Sequence, residues 1–155
     1  MMSKGIGIVC LGLVATALVA GIVAADDQTA QVQTDRLLIQ AQKICPVTGK
    51  DLRSMGGPVK AEVGGATVFL CCKGCFGKPL DQNHWSQVQA NIAAAQGMCP
   101  IFKKGLGDRP VPVVVNHRLL YVCCKPCTKK VQADPSGSIA FVNAQLARRF
   151  AEPRR

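Results

Sequence analysis

The stretch FLCCKGCFGK, residues 69–78, places Cys71 and Cys72 side by side with Cys75 three positions after Cys72, and it returns as YVCCKPCTKK at residues 121–130. The repetition extends well beyond these short runs. CPVTGKDLRSMGGPVKAEVGGATVFLCCKGC (45–75) aligns with CPIFKKGLGDRPVPVVVNHRLLYVCCKPC (99–127) across a single two-residue gap at Gly56-Gly57. Eleven of 29 aligned pairs are identical: both Cys-Pro starts, Lys50/Lys104, Leu52/Leu106, Pro58/Pro110, two valine pairs and the CCKxC frame. A duplication of this kind organises the chain before any fold is assigned.

Each copy reads as the same small α+β unit. Residues 58–63 alternate, with Val59, Ala61 and Val63 on one face and Lys60 and Glu62 on the other. Gly64-Gly65 is a two-residue hairpin turn, and residues 66–71 return. In the second copy, residues 111–115 and 118–123 flank Asn116-His117, where asparagine tolerates the positive φ such turns need. A helix is predicted after each cysteine turn. Trp85, Val88 and Ile92 are spaced i, i+3, i+7, and Ile139, Val142 and Leu146 repeat that spacing, continued by Phe150. Asp134-Pro135 supplies an N-cap and first-turn pair for the second helix. Residues 34–43 predict one more short helix, with Leu37, Ala41 and Ile44 on one side, while residues 26–33 read as polar and loose. The predicted architecture is a Cys-Pro turn, β-hairpin, CCxxC turn and helix, built twice, at 44–97 and 98–152, after a linker and short helix at 26–43.

Residues 1–25 are set apart. Lys4 supplies a basic start, residues 5–25 carry no charge, and Val23-Ala24-Ala25 offers small residues before Asp26-Asp27, the pattern of a signal-peptidase site. The apolar run also has the length of an uncleaved membrane anchor. Either way the remainder is expected to be exported, periplasmic or anchored facing the periplasm, and to meet a membrane only through this segment. Cys10 lies inside the run without a lipobox and is assigned no role. Without residues 1–25 the chain keeps 18 basic and 9 acidic residues, a formal charge of +9. Few aromatics, no recognition helix and an exported location argue against nucleic acid. Eight thiolates holding two divalent ions would lower that charge by four, so the lysine and arginine excess partly balances such centres. The basic pairs Lys129-Lys130, Arg148-Arg149 and Arg154-Arg155 read as solvated faces.

A unit of about 50 residues buries too little apolar surface to stand on its core alone. Below ~70–80 residues, domains usually add disulfides or a structural metal. The cysteines fall where such staples are needed: one on each entry turn and three where each hairpin ends. The candidate ligand sets are Cys45, Cys71, Cys72 and Cys75, and Cys99, Cys123, Cys124 and Cys127. Three chemistries compete for them. Two turns converging from the ends of a hairpin suit a tetrahedral thiolate site. An exported chain with an even number of cysteines equally suits a disulfide framework, for which eight thiols allow 105 pairings. Cys72–Cys75 and Cys124–Cys127 are also CxxC pairs, the second resembling an oxidoreductase motif, although each carries an extra preceding cysteine and lacks a βαβ frame. Haem attachment is excluded, because Phe76 and Thr128 stand where CxxCH needs histidine. His84 and His117 have no histidine counterparts in the other copy and read as solvent-facing, and Trp85 reads as the core anchor of its helix. All-thiolate ligation suits Zn²⁺ or Cu⁺, two ions per chain. The reading is a metal-binding protein and not an enzyme, with metal ions and an exported or membrane protein as partners. The alternative is a disulfide-stapled adaptor.

At CPVTGK…VFLCCKGC the sequence resembles the YHS and TRASH-like small metal-binding domains, over residues 44–80 and again over 98–133. Cys71/Cys75 and Cys123/Cys127 match their Cys-x₃-Cys turn, and Cys45 and Cys99 match the leading cysteine. The resemblance implies treble-clef-like units and a role in sensing, trafficking or resistance to heavy metals, copper especially. Cys72 and Cys124 stand where YHS domains usually carry serine, and Thr48 replaces a cysteine of the YHS-type start. The family frame therefore implies Cys45, Cys71 and Cys75 as the obligatory ligands with Cys72 a weaker fourth. Cys99, Cys123 and Cys127 with Cys124 follow suit.

Overall fold

The structure, a computed structural model, describes residues 20–151, with side chains from residue 28. Both hairpins close as their turn residues require. Strand β1 (Val59–Val63) pairs antiparallel with β2 (Ala66–Leu70), in register from Val59↔Leu70 to Val63↔Ala66. Strand β3 (Val111–Val115) pairs in the same way with β4 (Arg118–Val122), from Val111↔Val122 to Val115↔Arg118. Gly64 and Gly65 have φ of 56° and 78°, and Asn116 and His117 have 45° and 58°. Two successive left-handed residues are the signature of the turn that matches the twist of a two-residue hairpin. His117 therefore occupies the turn, exposed, with its ring 3.4 Å from the Glu62 carboxylate.

Among the described residues, four α-helices complete the fold: α1 (Ala20–Gln42), α2 (Gln82–Gln96), α3 (Lys125–Ala133) and α4 (Pro135–Ala151). Asp81 caps α2 by accepting the Asn83 and His84 N–H groups, and Asp134 accepts the Gly137 N–H of α4 at 2.9 Å. The predicted apolar stripes face inward. Val88, Ile92, Val142 and Leu146 are buried, and Trp85, Ile139 and Phe150 pack partly buried against the same core.

Two elements depart from expectation. Helix α1 runs through residues 26–33, which were expected to be loose, because that segment carries three glutamines and an alanine and is free of glycine and proline. The uncharged run and Cys10 lie outside the described residues as far as residue 19, and residues 20–25 open α1. Among the described residues, no helix is long and apolar enough to cross a membrane. Helix α3 is also new. After Cys127 the sequence TKKVQA contains no breaker, so a nine-residue helix forms. After Cys75, Gly77 at φ 71° and Pro79 stop the chain at one 3₁₀ turn, Lys73–Cys75.

The chain divides into two units, Met1–Val32 and Gln33–Arg155. Within the second, α2 packs against β4 and α4, so the helix that follows the first cysteine turn serves the core of the second repeat. Thr67 N–H donates to the His117 carbonyl at 2.7 Å, which ties one hairpin to the other.

The structural repeat begins three residues before the aligned one. Gln42, 2% exposed, donates from Nε2 to the carbonyls of Ile44 (2.9 Å) and Phe69 (2.6 Å), and its Oε1 accepts the Phe69 N–H at 2.8 Å. Gln96, 3% exposed, does the same to Met98 (2.9 Å) and to Tyr121 (2.6 and 2.9 Å). Replacing either with leucine keeps the bulk but leaves buried backbone groups unpaired, at a cost of about 1–3 kcal/mol. Gln42→Leu and Gln96→Leu should each lower the urea midpoint correspondingly. A midpoint equal to that of the unmodified protein would show that the amide contributes no net stability.

Candidate metal centre

Each site starts at a Cys-Pro turn closed by backbone bonds. Cys45 N–H donates to the Lys50 carbonyl at 2.8 Å, and Gly49 N–H to the Cys45 carbonyl at 2.9 Å. Cys99 N–H to Lys104 and Lys103 N–H to Cys99, both 2.8 Å, repeat this in the second copy. The turn needs a left-handed residue, supplied by Gly49 (φ 69°) and by Lys103 (φ 52°). Leu52 and Leu106, identical in the alignment, are buried and anchor the outgoing chain. His84 does not simply face solvent. Its ring lies over Gly49 so closely that a Cβ there would meet Nε2 at 2.5 Å.

The hairpins deliver the remaining thiols to these turns. The Sγ atoms of Cys45, Cys71 and Cys75 all lie within 4.8 Å of one another, as do those of Cys99, Cys123 and Cys127. Cys75 Sγ is 3.8 Å from Cys45 Sγ and 3.7 Å from Cys71 Sγ. A tetrahedral ion with bonds of ~2.3 Å to sulfur sets its ligands ~3.8 Å apart. The first triad thus has the dimensions of a thiolate metal site, and all three of its cysteines are buried. In the second, Cys123 Sγ is 4.0 Å from Cys127 Sγ, Cys99 and Cys127 are buried, and Cys123 is partly so.

The doubled cysteines stand at the rims. Backbone at Cys72 (φ −163°, ψ 167°) and Cys124 (φ −159°, ψ 155°) is extended. Both are partly buried and reach their triads through the last cysteine. Cys72 Sγ is 3.9 Å from Cys75 Sγ, and Cys124 Sγ is 2.8 Å from Cys127 Sγ and 4.0 Å from Cys123 Sγ. All eight described cysteines are free thiols. Thr48 Oγ1 lies 3.5 Å from Cys71 Sγ.

Protons are unequally shared among these sulfurs. Burial pushes the Cys45 thiol up. Hydrogen bonds from the backbone of Cys71, Val47 and Thr48 and from the Thr48 hydroxyl outweigh it and bring the thiol down to about 7. Burial, reinforced by the Cys71, Cys45 and Cys72 side chains, pushes Cys75 up to about 12. The second site repeats the directions. Burial raises Cys99, but the Phe102, Cys123 and Ile101 backbones bring it below the usual thiol value; burial and the Cys124 and Cys123 thiols raise Cys127.

The glutamine pair escaped the sequence reading because the alignment was begun at cysteine. Extended upstream, Gln42-Lys-Ile-Cys45 and Gln96-Gly-Met-Cys99 stay in register, and that signal was available. The chain matches no protein-family model, no curated protein and no solved structure.

The thiol shifts fix a pH profile for the metal-free protein. Cys45, depressed from 9.0 to about 7, contributes stability that is full above pH 9 and is lost as pH falls through 7. Cys75, raised to about 12, contributes stability that is full below pH 9 and is lost as pH rises towards 12. Metal-free stability, followed by urea midpoints, should rise from pH 7 to 9 and decline beyond. Cys45→Ala should flatten the first limb, and a flat limb in the unmodified protein would contradict the proton sharing.

Proposed function

We propose that this chain is an exported, non-enzymatic tandem metal-binding protein that holds one thiophilic ion in each repeat. The reading rests on one observation above all: Cys75 Sγ stands 3.8 Å from Cys45 Sγ and 3.7 Å from Cys71 Sγ, and the three sulfurs lie within 4.8 Å of one another in a buried position. Each triad supplies three ligands. Cys72 and Cys124, partly exposed at the rims, supply a fourth that exchanges with solvent or with an incoming ligand. The donor set suits Zn²⁺ or Cu⁺. The resemblance to YHS and TRASH-like domains, with their treble-clef-like frame, agrees with a role in heavy-metal handling, in which the ion passes to an exported or membrane partner. The charge-free N-terminal run, ending in small residues, supports export through a signal peptide or anchor.

Elemental analysis of anaerobically recovered protein should find two ions per chain, with few titratable thiols until a chelator is added. Eight hydrogens lost in intact mass with no metal would establish four disulfides instead and sink the reading. Cys71→Ser should lose the first ion. Cys72→Ser should keep the fold and the ion but release it to a chelator about tenfold faster, a difference of ~1.4 kcal/mol in the barrier. Equal release from the two variants would mean that no exchangeable position exists.

A further inference from the structure

The two cysteine turns share a sequence frame but not a geometry. In the first, Cys75 Sγ stands 3.8, 3.7 and 3.9 Å from the sulfurs of Cys45, Cys71 and Cys72, each close to the edge length of a tetrahedral site. In the second, Cys123 stands 4.0 Å from both Cys124 and Cys127, while Cys124 and Cys127 approach to 2.8 Å. That is about an ångström short of the ~3.8 Å that two ligands of one tetrahedral ion keep. The cause is visible in the backbone. Cys124 occupies the N-cap position of the nine-residue helix α3, and Pro126 sits in its first turn, so a continuing helix with a fixed proline φ holds the CxxC segment. The first copy has Gly74 at the matching place, in a 3₁₀ turn that ends within three residues.

The geometry points to a second activity confined to the second repeat: Cys124 and Cys127 form a dithiol that reacts with small-molecule disulfides, and its closure withdraws two ligands from that site. Cys124, the more exposed, attacks one sulfur of the disulfide RSSR, forming a mixed disulfide and releasing RS⁻. Buried Cys127 then attacks the Cys124 sulfur, forming the Cys124–Cys127 bond and releasing the second RS⁻. Cys124 and Cys127 lose two electrons, one RSSR gains them, and any protons the two thiols carry leave on the RS⁻ groups as RSH, so the step balances. Cys99 and Cys123 alone remain, and the ion leaves the second site while the first keeps its own. Metal release rests on the metal-binding reading; selective disulfide formation does not.

The test treats the full chain, as recovered with its metal, with one equivalent of oxidised glutathione. Peptide mass spectrometry locates the disulfides and a chromophoric chelator counts the released ions. Cys124–Cys127 should close about tenfold faster than any other pair, one ion of two should appear, and Pro126→Gly should slow closure by a similar factor. Closure of Cys72–Cys75 at the same rate, or linkage of Cys99 or Cys123 instead, overturns the inference while leaving the metal sites standing. Selective Cys124–Cys127 closure in protein that carries no metal supports the dithiol and removes the metal reading alone.

Discussion

One buried side-chain amide in each repeat holds together the two arms that carry the thiols. Gln42 stands three residues before Cys45, and its amide pairs with both backbone groups of Phe69, two residues before Cys71. It completes the ladder at Phe69 as a further strand residue would. The same amide also holds the Ile44 carbonyl, adjacent to Cys45. Because Phe69 is buried, its N–H and C=O have no recourse to water, and releasing them costs more than a surface hydrogen bond returns. A one-residue slip of β2 would unpair them and carry Cys71 to the opposite face. Gln96 imposes the same constraint on Tyr121, and so on Cys99 and Cys123.

The hairpins and their registers were legible because their determinants are local. Gly64-Gly65 and Asn116-His117 dictate two left-handed residues, and the alternation in β1 assigns its faces directly. The α2 and α4 stripes were legible for the same reason. What stayed hidden depends on partners distant in sequence. No local pattern says that α2 packs on β4 and α4, or that Gln96 meets Tyr121, 25 residues away. The contrast between α3 and the 3₁₀ turn lay in view, in Gly77 and Pro79 against an unbroken TKKVQA, but was masked by the matched frame preceding it. For the site, the period-2 rule separates Cys71 from Cys72, yet only the folded chain shows Cys72 reaching its triad at Cys75.

Duplication preserved the frame and let its surroundings diverge. At the position after Cys-Pro-x, the first copy has Thr48, whose hydroxyl faces Cys71 Sγ at 3.5 Å. The second has Phe102, exposed, with the Lys104 and Lys130 ammonium groups 5.2 and 5.4 Å from its ring centroid. Such cation–π contacts at the surface contribute on the order of 0.5–1 kcal/mol. The left-handed turn residue beside it is Gly49, covered by His84, in one copy and Lys103 in the other. One turn is covered by an imidazole, and the other carries two ammonium groups against an exposed ring.

Three sulfurs converging in a buried position carry a conflict that the protein alone does not remove. A lone thiolate there is stabilised by backbone N–H groups, as Cys45 is, but each further ionisation sets like charges less than 5 Å apart with little water between them. The result is the split in which Cys45 gives up its proton near neutrality while Cys75 holds its own to about 12. A cation at the centre reverses the sign of every interaction at once, allowing all the ligands to ionise and releasing their protons. The glutamine amides and the hairpin register hold the two arms that carry the sulfurs. Part of the free energy of ligation goes to displacing those protons, which makes affinity depend on pH.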